Sequence, residues 1–281
     1  MNRQTVLRWS GYVAFAIVFA IACGFLSHWQ FERGAERDAQ LELIAANYDA
    51  EPVPLDRLIP AGGVFDGADQ WHPVVVTGEY LTEHQLLARN RPRGGTSAFE
   101  VLVPFRTDDG RVFIVNRGWV PPGADQPEPD SVPAAPEGPV TVVARLMPDE
   151  PAPRSGRTAP PGQVPTVTTD IIAETLPGER VVDGVYGIMV SETPAPSARP
   201  SELPSPSEDP GPHLSYAIQW ILFAIMGFAF IWYMIRTELK HRREDAEDAA
   251  ARASGAPAPP PRPKRRRDRD AEEEDALVDA R

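Results

Sequence analysis

The stretch YAIQWILFAIMGFAFIWYMI, Tyr216–Ile235, runs for twenty residues without a charged side chain. A helix of that length matches a bilayer hydrocarbon core about 30 Å thick. Tyr216 and Trp220 lie near one end, and Trp232 and Tyr233 near the other. Aromatic rings collect at those depths, where one edge is apolar and the other wet. Arg236, Lys240, Arg242 and Arg243 follow directly. Positive charge marks the cytoplasmic flank of a span, so residues 214–235 read as a transmembrane helix whose far end enters the cytoplasm.

A second apolar segment, Ser10–Trp29, lies upstream, with Arg3 and Arg8 before it and Trp9 and Trp29 at its ends. Two spans return the N-terminus to the cytoplasmic side. The signal at Arg33 and Arg37 is weaker, because Glu32, Glu36 and Asp38 are interleaved with them. A cleaved signal peptide is the competing reading. No small-x-small site precedes a mature-like start, and Ala20 replaces the leucine that a lipobox at Cys23 would need. The organisation is therefore a cytoplasmic N-terminus (1–9), a span (10–29), an extracytoplasmic domain (31–192), a Pro/Ser-rich linker (193–213), a second span (214–235) and a cytoplasmic tail (236–281). The protein reads as multi-pass in the cell membrane. Ala16, Ala20 and Gly24 repeat every fourth residue. Close helix contact in lipid and chance in an alanine-rich helix both account for that spacing.

Acidic residues outnumber basic ones by about two to one between the spans. No basic stripe crosses that region, which argues against nucleic acid as a partner. Cys23 is the sole cysteine, so an intrachain disulfide and a cysteine-based metal site are both excluded. Short runs rich in β-branched residues recur between turn signals: Val74–Tyr80, Leu86–Arg89, Phe99–Phe105, Val112–Asn116, Val140–Met147, Val164–Thr169 and Val185–Val190. Asp108-Asp109-Gly110 reads as a hairpin turn. Leu41–Tyr48 is the one helical stretch expected outside the membrane, continuing the first span. The fold class is a membrane protein with two transmembrane α-helices flanking a mainly β (α+β) extracytoplasmic domain, expected to be an antiparallel barrel or sandwich. Pro121–Pro139, Pro148–Pro161 and Thr193–Pro212 read as loops. The tail beyond about Arg243, with its Lys264–Arg267 and Glu272–Asp275 blocks, reads as disordered.

The histidines, His28, His72, His84, His213 and His241, form no close metal-spaced pair. No nucleophile elbow, Walker loop or dinucleotide fingerprint is present, so the sequence argues against an enzyme. Asn116-Arg117-Gly118-Trp119 closes an apolar run. The planar fork of Arg117 could bind an acidic group such as a propionate; the plainer reading is a motif that ends a strand and locks a turn. His213 enters the second span, and His28 lies at a similar depth in the first. Imidazole ligates haem iron, so a site between the two is open, as is simple residence at the interface.

Four stretches in this order resemble the Surfeit locus protein 1 family of cytochrome c oxidase assembly factors. Trp29-Gln30-Phe31-Glu32-Arg33 is similar to the W-Q-x-x-R signature after the first span. Phe99–Phe105 resembles the family strand ending in Pro-Phe or Pro-Leu. Val115–Pro121 matches V-N-R-G-W-V-P, and His213–Trp220 matches H-L-x-Y-A-x-Q-W. The chain departs at Ser27, where many members carry glycine, and at Ser97 and Ala98, in a stretch often richer in glycine. The resemblance implies a non-catalytic role in maturing an aa3-type oxidase, with haem a as a transient cofactor. It implies as partners oxidase subunit I, the haem a synthesis machinery and the lipid bilayer. The family histidine associated with haem maps onto His213. Tyr216 and Trp220 could flank a porphyrin, and are equally ordinary interfacial aromatics. The alternative is a membrane-anchored scaffold that binds oxidase subunits without haem.

Overall fold

The computed structural model describes residues 3–253 apart from 154, 155 and 157. In chain order it contains helix α1 (Arg3–Asn47), strand β1 (Val53–Pro54), helix α2 (Leu55–Leu58), and strands β2 (Pro73–Tyr80), β3 (Leu86–Arg93), β4 (Thr96–Thr107), β5 (Arg111–Val120), β6 (Val140–Pro148) and β7 (Gln163–Val164). Helix α3 (Thr169–Ala173), β8 (Arg180–Val181), β9 (Val185–Thr193) and helix α4 (His213–Ala253) complete it. The chain divides into two units, residues up to Glu32 together with those from Pro212 onward, and Arg33–Gly211.

Helices α1 and α4 each contain a stretch long and apolar enough to cross a membrane. They have 45 and 41 residues, so each outruns a hydrocarbon core of about 30 Å by roughly a factor of two. The expected helix near Leu41 is the unbroken continuation of α1. At the other end the structure corrects the expectation of disorder after Arg243, because α4 continues to Ala253. Alanine makes up half of that extension, residues 244–253, and has the highest helix propensity. The Lys264–Arg267 and Glu272–Asp275 blocks lie outside the described residues.

Within the first unit α1 and α4 pack antiparallel. Arg8 meets Glu238, a side chain at Gly227 would touch the Phe19 ring, Ser27 bonds Ala217, and Gln30 meets His213. The contacting stripe of α1 is Ala16, Ala20, Cys23, Ser27 and Gln30, with Ala16, Cys23 and Ser27 buried. On α4 the matching stripe passes through Ala217, Trp220, Ala224, Gly227, Ile231 and Met234. Both alternate steps of four and three, the 3.5-residue period of helices that wind around each other. This corrects the strict four-residue stripe, since Gly24 is exposed and Cys23 takes its place.

The second unit is built on a barrel. Strand β6 shows the cause most simply: Val140, Val142, Ala144 and Leu146 are buried and the residues between them are less so. That period of two gives a sheet one apolar face to enclose. Strand β2 pairs with β6 through Pro73–Gly78 and with β4 through Gly78–Tyr80. Strand β4 pairs with β5, and β6 pairs with β9. The ring closes where β5 and β9 run parallel, Val115 beside Gly187 and Asn116 beside Ile188. Taken as strands one to five, β2, β4, β5, β6 and β9 follow the order 1-2-3-5-4-1 with three and five parallel. That is the connectivity of OB-type Greek-key barrels. The expected antiparallel sheet is therefore a mixed one.

Strands β4 and β5 are buried on both faces. Val101, Val103, Phe105, Phe113 and Val115 fill the barrel. Leu102, Val112 and Ile114 face outward and are covered by Ile172 and Leu176 of the α3 segment. The sequence reading of Val164–Thr169 as a strand is corrected here, because only Gln163–Val164 pairs and Thr169 begins α3. The Asp149 carboxylate accepts from the Thr169 amide (2.7 Å) and hydroxyl (2.6 Å), capping that first turn.

Gly78 forms the corner where β2 passes from one partner to the other. Its φ is 153°, and a Cβ there would collide with the Arg106 carbonyl. Gly78→Ala is expected to lower stability by about 2 kcal/mol or more, read as a fall in the melting temperature of the full-length protein in detergent. In the β4–β5 hairpin, Asp109 accepts from the Thr107 hydroxyl and from the Arg111 amide and guanidinium. Burial raises its pKa, but these bonds outweigh it and lower the value from 3.8 to about 2. A depressed folded pKa stabilises above the unfolded value, so this contribution is complete above about pH 4 and is lost as pH falls towards 2. Asp109→Asn should flatten the stability profile across that window.

Candidate functional site

The heptad-like seam decides which side chains meet at the end of the helical hairpin. Ser27 and Gln30 fall on it, and His28, between them, does not. The Ser27 hydroxyl donates to the Ala217 carbonyl at 3.0 Å, a buried bond that pins α4 against α1. One turn further, His213 Nδ1 lies 3.0 Å from Gln30 Oε1. The His28 ring, 71 % exposed, has its Nε2 3.3 Å from the Glu32 carboxylate one turn along the same helix. The hydrogen bonds thus join His213 to Gln30, and His28 lies beside Glu32. Tyr216 is exposed. Trp220 is half-buried and packs edge-on against Phe223, 5.7 Å between ring centres. Gln30 and Ser27 were not singled out as site residues from sequence, although Gln30 stands inside a quoted motif. Their signal is positional, three residues apart on the face that meets the second helix.

Arg117 is placed very differently from an anion-binding surface residue. It points into the barrel, its side chain fully buried, and meets Glu192 of β9 through Nη2 at 2.7 Å and Nε at 3.2 Å. Its third contact is the Pro133 carbonyl at 3.1 Å, from the loop over the barrel end. The Tyr80 hydroxyl donates to the same Glu192 carboxylate at 2.9 Å. Burial first, and then the Glu192 charge, raise the Tyr80 pKa, so the phenol stays protonated and donates. The Arg117 fork has no face left for an outside propionate, which corrects that reading and supports the plainer one.

The neighbouring residues of the same motif also act on architecture. The Asn116 amide donates to Glu100 at 2.8 Å, and its oxygen accepts from the Gly118 amide at 3.1 Å. Gly118, at φ 125°, allows the Ser201 carbonyl to approach where a Cβ would collide. Trp119 then exchanges two backbone bonds with Ser201, and its indole donates to the Glu202 carbonyl. Farther along, Arg37 of α1 donates to the carbonyls of Ser207 and Asp209, and Tyr48 bonds Ser205. The proline-rich linker is therefore tied down along its length within this unit.

A second polar layer lies outside β4 and β5. Arg91 grips Glu150 with two bonds, 2.9 and 2.7 Å, and Arg93 donates to Glu100 at 3.0 Å. Burial raises the Glu150 pKa, but the bonds from Arg91, the Val167 amide and Thr166 lower it overall. The Glu150 carboxylate is thus held as an ion-pair partner. Among the described residues, no group of three or more His, Cys, Asp or Glu side chains is placed to hold a metal ion.

Residues 17–225 match the SURF1 family. The chain belongs to that family. It is also 34 % identical over 256 residues to uncharacterised SURF1-like proteins of Mycobacterium bovis and Mycobacterium tuberculosis, alignments that cover 87 % of this chain and 91 % of theirs. SURF1 proteins are cytochrome oxidase assembly factors, a family of assembly proteins and not of enzymes. The family match spans both the hairpin that carries His213 and the barrel that carries Arg117.

The buried pair makes a clear expectation. Glu192→Ala strands the Arg117 charge and should cost about 3–5 kcal/mol, whereas replacing both partners with leucine should cost far less. Thermal denaturation of the single and double variants measures the difference.

Proposed function

We propose that this SURF1 protein holds haem a during maturation of oxidase subunit I, with His213 as an axial ligand. The observation that supports this reading is the 3.0 Å contact between His213 Nδ1 and the Gln30 amide oxygen. With that oxygen accepting, Nδ1 carries the proton and Nε2 keeps a free lone pair. A partner on the far nitrogen is how ligating histidines are commonly oriented and made more basic. Bound haem would supply the porphyrin iron that the oxidase needs; the chain supplies the imidazole, its orientation and an aromatic neighbourhood. Exposed Tyr216 lies one turn from His213 and offers a ring to a flat macrocycle. His28 is left out of the ligand set, because its ring lies against Glu32.

In this reading both termini are cytoplasmic and Arg33–Gly211 is extracytoplasmic in the cell membrane. The basic residues after Ile235 support that orientation. Haem would come from the haem a synthesis machinery and pass to subunit I.

Protein purified from a host that makes haem a should show a Soret band. His213→Ala should abolish it, and Gln30→Ala should weaken it by loosening the imidazole, with assembled oxidase falling in step. A haem-free wild type would instead support a scaffold that binds oxidase subunits without haem, and a His213→Ala variant that keeps its Soret band would remove His213 as the ligand.

A further inference from the structure

The cations that follow the apolar stretch of α4 are not equivalent. Arg242 donates to Glu238 through Nε and Nη2, at 3.2 and 3.0 Å, and Arg8 of α1 reaches the same carboxylate at 3.0 Å. Both guanidiniums are thereby partnered inside the hairpin. Arg236, Lys240 and Arg243 lie on another face, at the i, i+4, i+7 spacing that stacks side chains in a row. All three are exposed. Lys240 has only a long contact with Glu244, at 4.0 Å, and Arg236 lies over the Trp232 ring at 5.3 Å. Among the described residues no carboxylate is within ion-pair distance of Arg236 or Arg243.

These three cations share a groove of about 410 Å³ with Trp232, Ile235 and Leu239. The groove is therefore lined by three apolar side chains, beginning with Trp232 beside the span, and by three cations. Seven residues of helix rise about 10 Å, enough to carry the row through one headgroup layer of about 5–8 Å. We propose that this groove binds an anionic phospholipid. Its phosphate would lie among Arg236, Lys240 and Arg243, and its glycerol and first methylenes against Trp232, Ile235 and Leu239. Two guanidiniums offer paired donors to phosphate oxygens and the ammonium adds a point charge. A free phosphate would use only the cationic half of the groove. A lipid uses both halves, and it is present wherever the span is.

The test uses the full-length protein reconstituted in phosphatidylcholine vesicles with a small share of spin-labelled phosphatidylglycerol or spin-labelled phosphatidylcholine. The wild type should immobilise the phosphatidylglycerol label with a preference of at least about fivefold. The triple variant R236Q/K240Q/R243Q should bring that preference to parity, with helix content by circular dichroism unchanged. Arg236→Gln alone should give an intermediate value. Arg242→Gln should leave the preference intact, which separates a site from general surface charge. Glycerol 3-phosphate added to the buffer should not release the label. Parity in the wild type overturns the proposal and leaves an acidic protein segment as the better occupant. A preference that survives the triple variant, or falls equally with Arg242→Gln, also overturns it. Release by glycerol 3-phosphate does so in favour of a free phosphate.

Discussion

The barrel closes at two short seams, and a buried ion pair bridges one of them. The ladder between β5 and β9 pairs Val115 with Gly187 and Asn116 with Ile188, and that between β2 and β4 runs through Gly78–Tyr80. Arg117 on β5 and Glu192 on β9 meet inside the barrel, so their hydrogen bonds cross the β5–β9 seam where the backbone ladder is thin, and Tyr80 of β2 ties the same carboxylate to a third strand. A buried pair of this kind adds little net stability over apolar packing, but breaking it leaves an unpaired charge in a dry interior. Its value here is geometric. In the register that sets Val115 beside Gly187, the Glu192 carboxylate reaches the Arg117 fork, so the pair ties β9 to β5 in the closed, mixed barrel.

That constraint explains why the barrel was only partly legible in the sequence. Alternation along Val140–Leu146 announced β6, and Asp108-Asp109-Gly110 announced the β4–β5 hairpin, because both signals are local. The parallel β5–β9 contact joins segments about seventy residues apart and leaves no periodic trace. Arg117 misled for a related reason: a charged residue in a motif reads as a surface contact unless its partner is known, and Glu192 lies on a different strand. The α3 segment was hidden by the valines and threonines that lead into it, Val164–Thr169, which suit a strand. A carboxylate some twenty residues upstream, Asp149, caps it as a helix.

The helical hairpin was legible in its length and ends, but not in its phase. A repeat of four residues and a repeat of three and a half diverge after two turns. Ala16 and Ala20 fit both, and at the next position the packing selects Cys23 and not Gly24. The same phase, carried on to the end of the seam, brings Gln30 to α4 and turns His28 away. A displacement of a single residue in the reading of a helix face thus decides which side chain can meet His213.

The two most distinctive motifs of the chain divide along these lines. In Asn116-Arg117-Gly118-Trp119 every polar group already has a partner, whether Glu100, Glu192, or the strap at Ser201 and Glu202. Such a motif is consumed by architecture, and its substitution acts through folding. In His213–Trp220 the imidazole has one nitrogen engaged and the other ring nitrogen in no hydrogen bond among the described residues. A histidine half-satisfied by a fixed neighbour keeps one lone pair for chemistry, whereas a fully satisfied one does not. That asymmetry sets the two motifs apart: the one in the helical hairpin keeps an open donor atom, and the one in the barrel holds the barrel's own shape and the linker tied to it.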